Sequence, residues 1–355
     1  MTALDVQVTH PNPEKPGHRT YRTRHYALRI NYRVLAMTLV ASVVLVVLTI
    51  WAVTLGTLKI PFLDVVQAII GRGSPDTDFV VNTLRMPRVL AALMVGAALA
   101  MSGSIFQALV RNALVSPDII GINSGATLMA TIWLVFGLQY SLLPLAAFAG
   151  AFGTAIIIYM LTWEGGISPN RMILVGIGIQ AILGACTTYI TVKFPVEVIR
   201  PAVVWTMGSV YGSQWKDIRI LAISLVVLLP LAVMLMWPLR AIQLGDDVSR
   251  ALGLPLESIR LGLIVVGCGL AAICVAVAGP IGFVALMVPH VARMLGGPIS
   301  GSSIVFSAVL GAVFLLAADV VAQHFLPVSL PVGIVTAAVG APYFLFLLYR
   351  TNVQM

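Results

Sequence analysis

The chain has 355 residues, of which 59% are hydrophobic and only 10% are charged, and its mean hydropathy is +1.01. Soluble domains do not reach that value, and apolar stretches of about 20 residues recur along the chain, so we expect an all-α polytopic membrane protein. The formal charge of +8 comes from basic residues spread over the flanks of the apolar stretches. That spread favours membrane orientation over nucleic-acid binding, which would concentrate the charge in one stripe.

The predicted elements begin with a polar, basic segment, residues 1–33, which we interpret as a disordered cytoplasmic tail. A membrane domain follows at 34–350, and 351–355 form a short cytoplasmic C-terminus. Ten spans are predicted: residues 34–55, 89–110, 119–137, 141–162, 172–192, 218–237, 261–278, 281–295, 303–323 and 332–349.

The eighth predicted span is the shortest, because Gly279, Pro280, Gly282 and Pro289 interrupt it just before His290. Irregular backbone is tolerated in a bilayer only where neighbouring protein or a wet cavity satisfies its polar groups. We therefore expect this short, broken helix to lie beside a pathway or a subunit interface.

A cytoplasmic N-terminus and ten alternating spans place thirteen of the 21 Lys and Arg residues on the cytoplasmic side and eight outside. The sign of this difference agrees with the positive-inside rule. Arg85 and Arg88 fall outside, where the rule does not explain them.

A charged segment, residues 245–260, lies between two membrane-length apolar runs and must therefore contact water. Asp246 is predicted to cap a short helix whose residues Val248, Ala251 and Leu252 share one face. Gly253 is expected to end that helix, and Pro255 sits where the next can begin. We call residues 245–255 the wedge; it is either a solvated loop or an element that presses into a groove of another protein.

Several kinds of chemistry find no support in the sequence. None of the four lysines follows a glycine, so a phosphate-binding P-loop is absent, and no His, Cys or carboxylate cluster has metal-ligand spacing. The three cysteines lie in apolar runs and indicate neither disulfides nor a metal site. One acid, Asp319, lies inside a span, either as a proton relay or as a hydrogen-bonded packing residue.

Several motifs occur in one order. The first half contains RMPR at 85–88, GAALAMSG at 96–103 and RNALVSPD at 111–118; the second contains the wedge, AGPIGFVALMVPH at 278–290, AD at 318–319 and LPVG at 330–333. Over residues 34–349 the chain thus resembles the iron-siderophore and vitamin B12 ABC importer permeases. GINSGA at 121–126 and GDD at 245–247 are most similar to ferric enterobactin permease subunits.

The resemblance implies a type II ABC importer permease fold with ten transmembrane helices and no catalytic residue, metal or bound cofactor. It also implies a second permease subunit, different rather than identical, in the bacterial plasma membrane. Two separate ATPase subunits would use ATP and Mg²⁺, and a periplasmic or lipid-anchored binding protein would deliver a ferric siderophore, preferably a catecholate. Haem or vitamin B12 transport, and a proton-coupled secondary carrier, are the alternatives.

The resemblance also assigns roles to residues. The ATPase-coupling loop falls on Gly245, Asp246, Asp247, Ser249, Leu252, Gly253, Leu254 and Pro255. Arg85 and Arg88 correspond to the pair that docks acidic residues of the binding protein, whereas Gln323 replaces a further docking arginine of some relatives. The cytoplasmic gate falls on Asn112, Ala113 and Leu114, where Ala113 replaces the family's proline, so we expect a less rigid turn.

Overall fold

The computed structural model describes residues 7–8, 18–22, 27–56, 58, 60–164, 166, 168–297 and 301–352. Its helices are α1 (Tyr32–Thr54), α2 (Phe62–Ile69), α3 (Pro75–Asp78), α4 (Met86–Leu109), α5 (Ile122–Val135), α6 (Leu143–Thr162), α7 (Pro169–Lys193), α8 (Val196–Thr206), α9 (Trp215–Met234), α10 (Met236–Gln243), α11 (Asp246–Ala251), α12 (Leu256–Ala278), α13 (Val284–Gly296), α14 (Gly301–His324) and α15 (Val332–Asn352). A π-helical segment, Phe79–Arg85, joins α3 to α4, and 3₁₀ turns at Pro117–Ile120 and Tyr140–Leu142 precede α5 and α6. The nearly all-helical fold expected from the sequence is confirmed.

The N-terminal segment contains three short strands in the residues that the structure describes, and the disordered tail and its bounds stay predictions. Strands β1 (Gln7–Val8), β2 (His18–Arg22) and β3 (Ala27–Asn31) pair antiparallel in the order β1-β2-β3. Leu28 and Ile30 alternate with Arg29, which is the period of a strand.

Eight helices, in the part of the chain that the structure describes, are long and apolar enough to cross a membrane. Two predicted spans correspond instead to the shorter helices α5 and α13, of 14 and 13 residues. At 1.5 Å per residue these helices are about 20 Å long, less than the ~30 Å thickness of the hydrocarbon core. The count of ten membrane-crossing helices therefore stays a prediction.

Helix α4 forms the centre of the bundle and is buried along nearly its whole length, with α14, α12, α13 and α9 packed around it. It crosses α14 at Gly96 and Gly311. A Cβ atom on either glycine would lie 2.3 Å from the carbonyl oxygen of the other. Small residues allow helix backbones to approach this closely in a membrane, where association depends on packing.

Helices α1 and α7 lie at the periphery, and only 6% of the residues in the most apolar stretch of each helix are buried. The exposed side of α1 is apolar, with Leu39, Val40 and Val43 at 60–64% exposure, as a lipid-facing surface requires. Helix α7 differs from α1 because its exposed side also carries polar side chains such as Thr188.

The bundle has two distinct ends. We call the one that carries α11 the wedge end, and it also contains residues 111–114, since Arg111 contacts Asp246. The start of α1 belongs to this end as well, because Val34 packs with Ala292 of α13 and Phe306 of α14. The opposite end contains the start of α4 and the end of α14.

Candidate functional site

The wedge forms a short helix, as predicted, but its start differs from the prediction. Gly245, with φ of 121°, takes the capping position, and Asp246 is the first helical residue and not the N-cap. The Asp246 carboxylate accepts hydrogen bonds from two guanidinium groups, in which both partners are charged. Gly253 ends the helix with φ of 73°, and Pro255 directly precedes α12.

The wedge presents an apolar face to its surroundings. Val248 and Leu252 are 44% and 62% exposed, Ala251 is exposed beside them, and Leu244, directly before the wedge, is 68% exposed. On the inner side, Ser249 is fully buried, and its hydroxyl donates to the carbonyl oxygens of Ala241 and Gly245. The wedge is therefore held in place by hydrogen bonds on its inner side and presents apolar side chains on its outer side, which suits docking to another protein.

Charge fixes the start of the wedge helix. The Asp246 carboxylate lies 2.8 Å from Nη2 of Arg260, on α12, and 3.0 Å from Nη2 of Arg111, two residues after the end of α4. Arg260 is itself buried and also contacts Glu257 at 3.3 Å. Partial burial acts to raise the pKa of Asp246, but the hydrogen bonds and charges of Arg260 and Arg111 lower it overall. The carboxylate is thus ionised at neutral pH.

The predicted gate residues form a tight turn at the wedge end. Asn112 Oδ1 accepts a hydrogen bond from the Leu114 backbone N–H at 2.9 Å, and the Asn112 N–H donates to the Gln107 carbonyl oxygen. Asn112 is exposed, and Ala113 and Leu114 are half-buried. An asparagine side chain that accepts from the backbone two residues on closes a turn without proline. The gating role of these residues stays a prediction.

The eighth apolar segment contains the predicted interruption. Helix α12 ends before Gly279, residues 280–283 are not helical, and α13 then runs to Gly296 with Pro289 inside it. His290 is half-buried, and its ring lies 6.1 Å from that of Tyr343 on α15. Where the predicted residues Pro280, Gly282 and His290 lie relative to a pathway stays a prediction.

Arg85 and Arg88 lie at the opposite end, and the hydrogen bonds of both point inward. Arg85 donates to the carbonyl oxygens of Val53, near the end of α1, and of Leu58, between α1 and α2. Arg88 holds Asp319 with two hydrogen bonds of 2.8 Å, from Nε and Nη2. Sequence reasoning found no cationic partner for Asp319, because the two residues are 231 positions apart. The pair supports the interpretation of Asp319 as a packing residue.

Sequence reasoning missed a groove between α5 and α7. It has a volume of about 390 Å³ and is lined chiefly by amide and hydroxyl side chains: Asn123, Ser124, Thr127, Thr187, Thr188 and Thr191. Three threonines at i, i+1 and i+4 within an apolar helix were the available signal. Asn123, Thr187 and Thr191 hydrogen-bond within the chain, whereas Ser124, Thr127 and Thr188 add hydroxyl groups that favour contact with protein or water over lipid.

A nearly all-helical bundle with membrane-length helices and an exposed, rigid wedge at one end defines an integral membrane protein built to dock a partner. The family model of the FecCD transport family matches residues 44–350. The chain belongs to this family and is an ABC transporter permease.

Curated relatives agree with this assignment. The chain is 40% identical to the probable siderophore transport system permease protein YfhA of Bacillus subtilis, over 84% of this chain and 90% of that protein. It is 37% identical to the ferric enterobactin transport system permease protein FepG of Escherichia coli, over 91% and 98% of the two chains.

A solved structure gives the same fold. A transporter assigned to the metal-chelate ABC type, in an inward-facing conformation, matches with a TM-score of 0.81 and 29% identity, over 89% of this chain and 99% of that one. The predicted type II importer permease fold is confirmed.

Proposed function

We propose that this chain is a membrane subunit of an ATP-driven importer that takes up a ferric siderophore. The observation that carries the proposal is the wedge, whose apolar face is exposed although its start is held by three charged side chains. Two relatives with similar sequences along most of their length are named for siderophore and ferric enterobactin transport. We favour a catecholate chelate for that reason, with haem and vitamin B12 as the alternatives.

The wedge is the surface that we assign to a separate ATPase subunit. Two such subunits would bind ATP and Mg²⁺, and a second, different permease subunit would complete the membrane part. The wedge end also carries Arg111, Arg171, Arg240, Arg250 and Arg260. By the positive-inside rule this end faces the cytoplasm of a bacterium, and both termini lie there too.

The opposite end would receive the loaded binding protein, which is periplasmic or lipid-anchored. Arg85 and Arg88 are the proposed contacts for its acidic residues. A guanidinium has five N–H donors, and the bonds described above use two from each arginine, so a further carboxylate can bind without loss of the internal contacts. Asp319 would then hold Arg88 in position for docking.

The polar groove between α5 and α7 is our candidate for the wall of the pathway. Helix α7 is little buried within the chain, and its exposed side contains Gly184, Cys186 and Thr188 between apolar residues. A second permease placed against α7 would enclose the groove and leave the hydroxyl groups of Ser124, Thr127 and Thr188 for the oxygen atoms of a chelate. The turn at Asn112, Ala113 and Leu114 lies further toward the wedge end, where a gate is proposed.

The proposal is tested with Leu252→Asp in the complete importer reconstituted in vesicles. A charge on the exposed wedge face should abolish ATP-dependent uptake, because it opposes burial against the ATPase, while the helical bundle still assembles. Leu252→Met keeps the face apolar and should transport normally. Unchanged uptake in Leu252→Asp would remove the coupling assignment.

The rival secondary carrier is tested in the same vesicles. The importer should stop when ATP is depleted and should continue with an uncoupler present. Uptake that an uncoupler stops and ATP depletion does not would favour a proton-coupled carrier, for which Asp319 is the candidate relay.

A further inference from the structure

Three charged side chains join the wedge to two different helices of the bundle. Oδ1 of Asp246 accepts hydrogen bonds from Arg111 at 3.0 Å and from Arg260 at 2.9 Å, and Oδ2 accepts from Arg260 at 2.8 Å. Arg260 belongs to the buried first turns of α12, whereas Arg111 lies two residues after the end of α4. One carboxylate on a six-residue helix is therefore shared between the two most buried helices.

Arg111 is held in an unusual position. Its φ is 56°, in the left-handed region that non-glycine residues rarely adopt. The guanidinium also donates to the Ile242 carbonyl oxygen at the end of α10, which precedes the wedge. Such a conformation persists only where the surrounding contacts determine it, and such residues cluster at switch regions.

The contacts continue from Arg111 into the bundle. The next residue, Asn112, donates its N–H to the carbonyl oxygen of Gln107. The Gln107 side chain is buried, and its Nε2 donates to the Leu286 carbonyl oxygen of α13 at 2.9 Å. A continuous series of hydrogen bonds thus runs from the wedge through the turn at 111–114 to α13, the short helix that follows the non-helical residues 280–283.

We propose that Arg111, Asp246 and Arg260 form a coupling clamp, which makes the turn at 111–114 move with the wedge when the ATPase subunits close. This inference rests on the proposed function, and it assigns positioning roles to Arg111 and Arg260. Charge-assisted hydrogen bonds are strong and directional, so a displacement of α11 is transmitted to the end of α4 instead of being absorbed by a flexible loop.

Among the described residues, the other side-chain hydrogen bonds of the wedge do not provide this link. Ser249 binds Ala241 and Gly245, which lie in the same local segment, so it fixes only the internal shape of the wedge. Removal of the Arg111 guanidinium should therefore leave the wedge folded and able to dock, while the turn no longer follows it. Transport and ATP hydrolysis should separate in such a variant.

The test uses the complete importer in proteoliposomes, with ferric enterobactin on the binding protein as the probe and uptake per ATP hydrolysed as the readout. Arg111→Gln should lower this ratio about tenfold, with ATP hydrolysis within about twofold of the unmodified complex. Arg111→Lys keeps the charge and should fall between. Arg171→Gln is the matched control, since it breaks a pair at the same end that joins residues only seven positions apart, Arg171 and Glu164, and it should change neither quantity.

A second measurement needs no transported substrate. In a Cys186→Ala background, Ala113→Cys reports on the turn by its rate of maleimide labelling, which should change when ATP and vanadate are added. Arg111→Gln should abolish that change. If the glutamine variant does not assemble, the same labelling change is measured in Arg111→Lys instead.

The outcomes separate the two proposals. A normal uptake ratio and a normal labelling change in the Arg111 variants would overturn the clamp, and so would parallel loss of uptake and hydrolysis in an intact complex. Absence of ATP-dependent uptake in the unmodified complex would count against the proposed function instead, and the labelling experiment would still test the clamp.

Discussion

The Arg88–Asp319 pair gives the sharpest prediction about stability. It joins the start of α4 to the end of α14 through two hydrogen bonds of 2.8 Å, and the side chains are only 16% and 6% exposed. Removal of one member leaves the other charged and buried, which typically costs about 3–5 kcal/mol. Asp319→Leu should therefore lower the free energy of unfolding by about that amount.

The double variant separates the charge from its packing. Arg88→Met with Asp319→Leu replaces the pair by apolar groups of similar size, and such replacements are often neutral within about 1 kcal/mol or stabilising. The assay is equilibrium unfolding in mixed detergent micelles, with Glu164→Gln as the control. Glu164 pairs with Arg171 but is 77% exposed, so its loss should change stability by less than about 1 kcal/mol. A double variant as unstable as Asp319→Leu would refute the reasoning.

Three further predictions concern packing, charge and the groove. Gly96→Val should prevent stable assembly, because even its Cβ would lie 2.3 Å from the Gly311 carbonyl oxygen, whereas Gly153→Ala meets no atom within 4 Å and should assemble normally; size-exclusion profiles distinguish them. Because Arg260 and Arg111 lower the pKa of Asp246, the stabilisation is present above the unfolded value of about 3.9 and is lost as pH falls through the folded pKa. Unfolding temperatures measured from neutral pH to acid should thus fall more steeply in the unmodified chain than in Asp246→Asn, and equal slopes would contradict this. Thr188→Val removes a groove hydroxyl without a change of shape and should raise the KM for uptake about threefold with kcat unchanged; an unaltered KM would take the groove out of the pathway.

The parts of the fold that the sequence predicts are those set by local signals. Hydropathy located the eight membrane-length helices of the described residues. Gly253 and Pro255 marked the end of α11 and the start of α12, because turn and cap preferences depend on a few neighbouring residues. Membrane crossing is less local: α5 and α13 are apolar helices, yet each is shorter than its predicted span.

The parts that the sequence could not predict depend on residues distant in the chain. Arg88 meets Asp319 across 231 positions, and Arg111 meets Asp246 across 135. Asp246 therefore looked like a helix cap, which is a local role, although its partners lie on two other helices. Pairing of this kind follows from how α4, α12 and α14 pack, and no spacing rule within one helix contains it.

We propose that this chain forms a passive route through the membrane and that a separate subunit hydrolyses ATP to drive transport. The most direct measurement is chelate accumulation in vesicles that contain both permease subunits and the binding protein, with the ATPase subunits present or omitted. We expect accumulation only when the ATPase subunits and ATP are both supplied. Accumulation against a gradient without the ATPase subunits would contradict it.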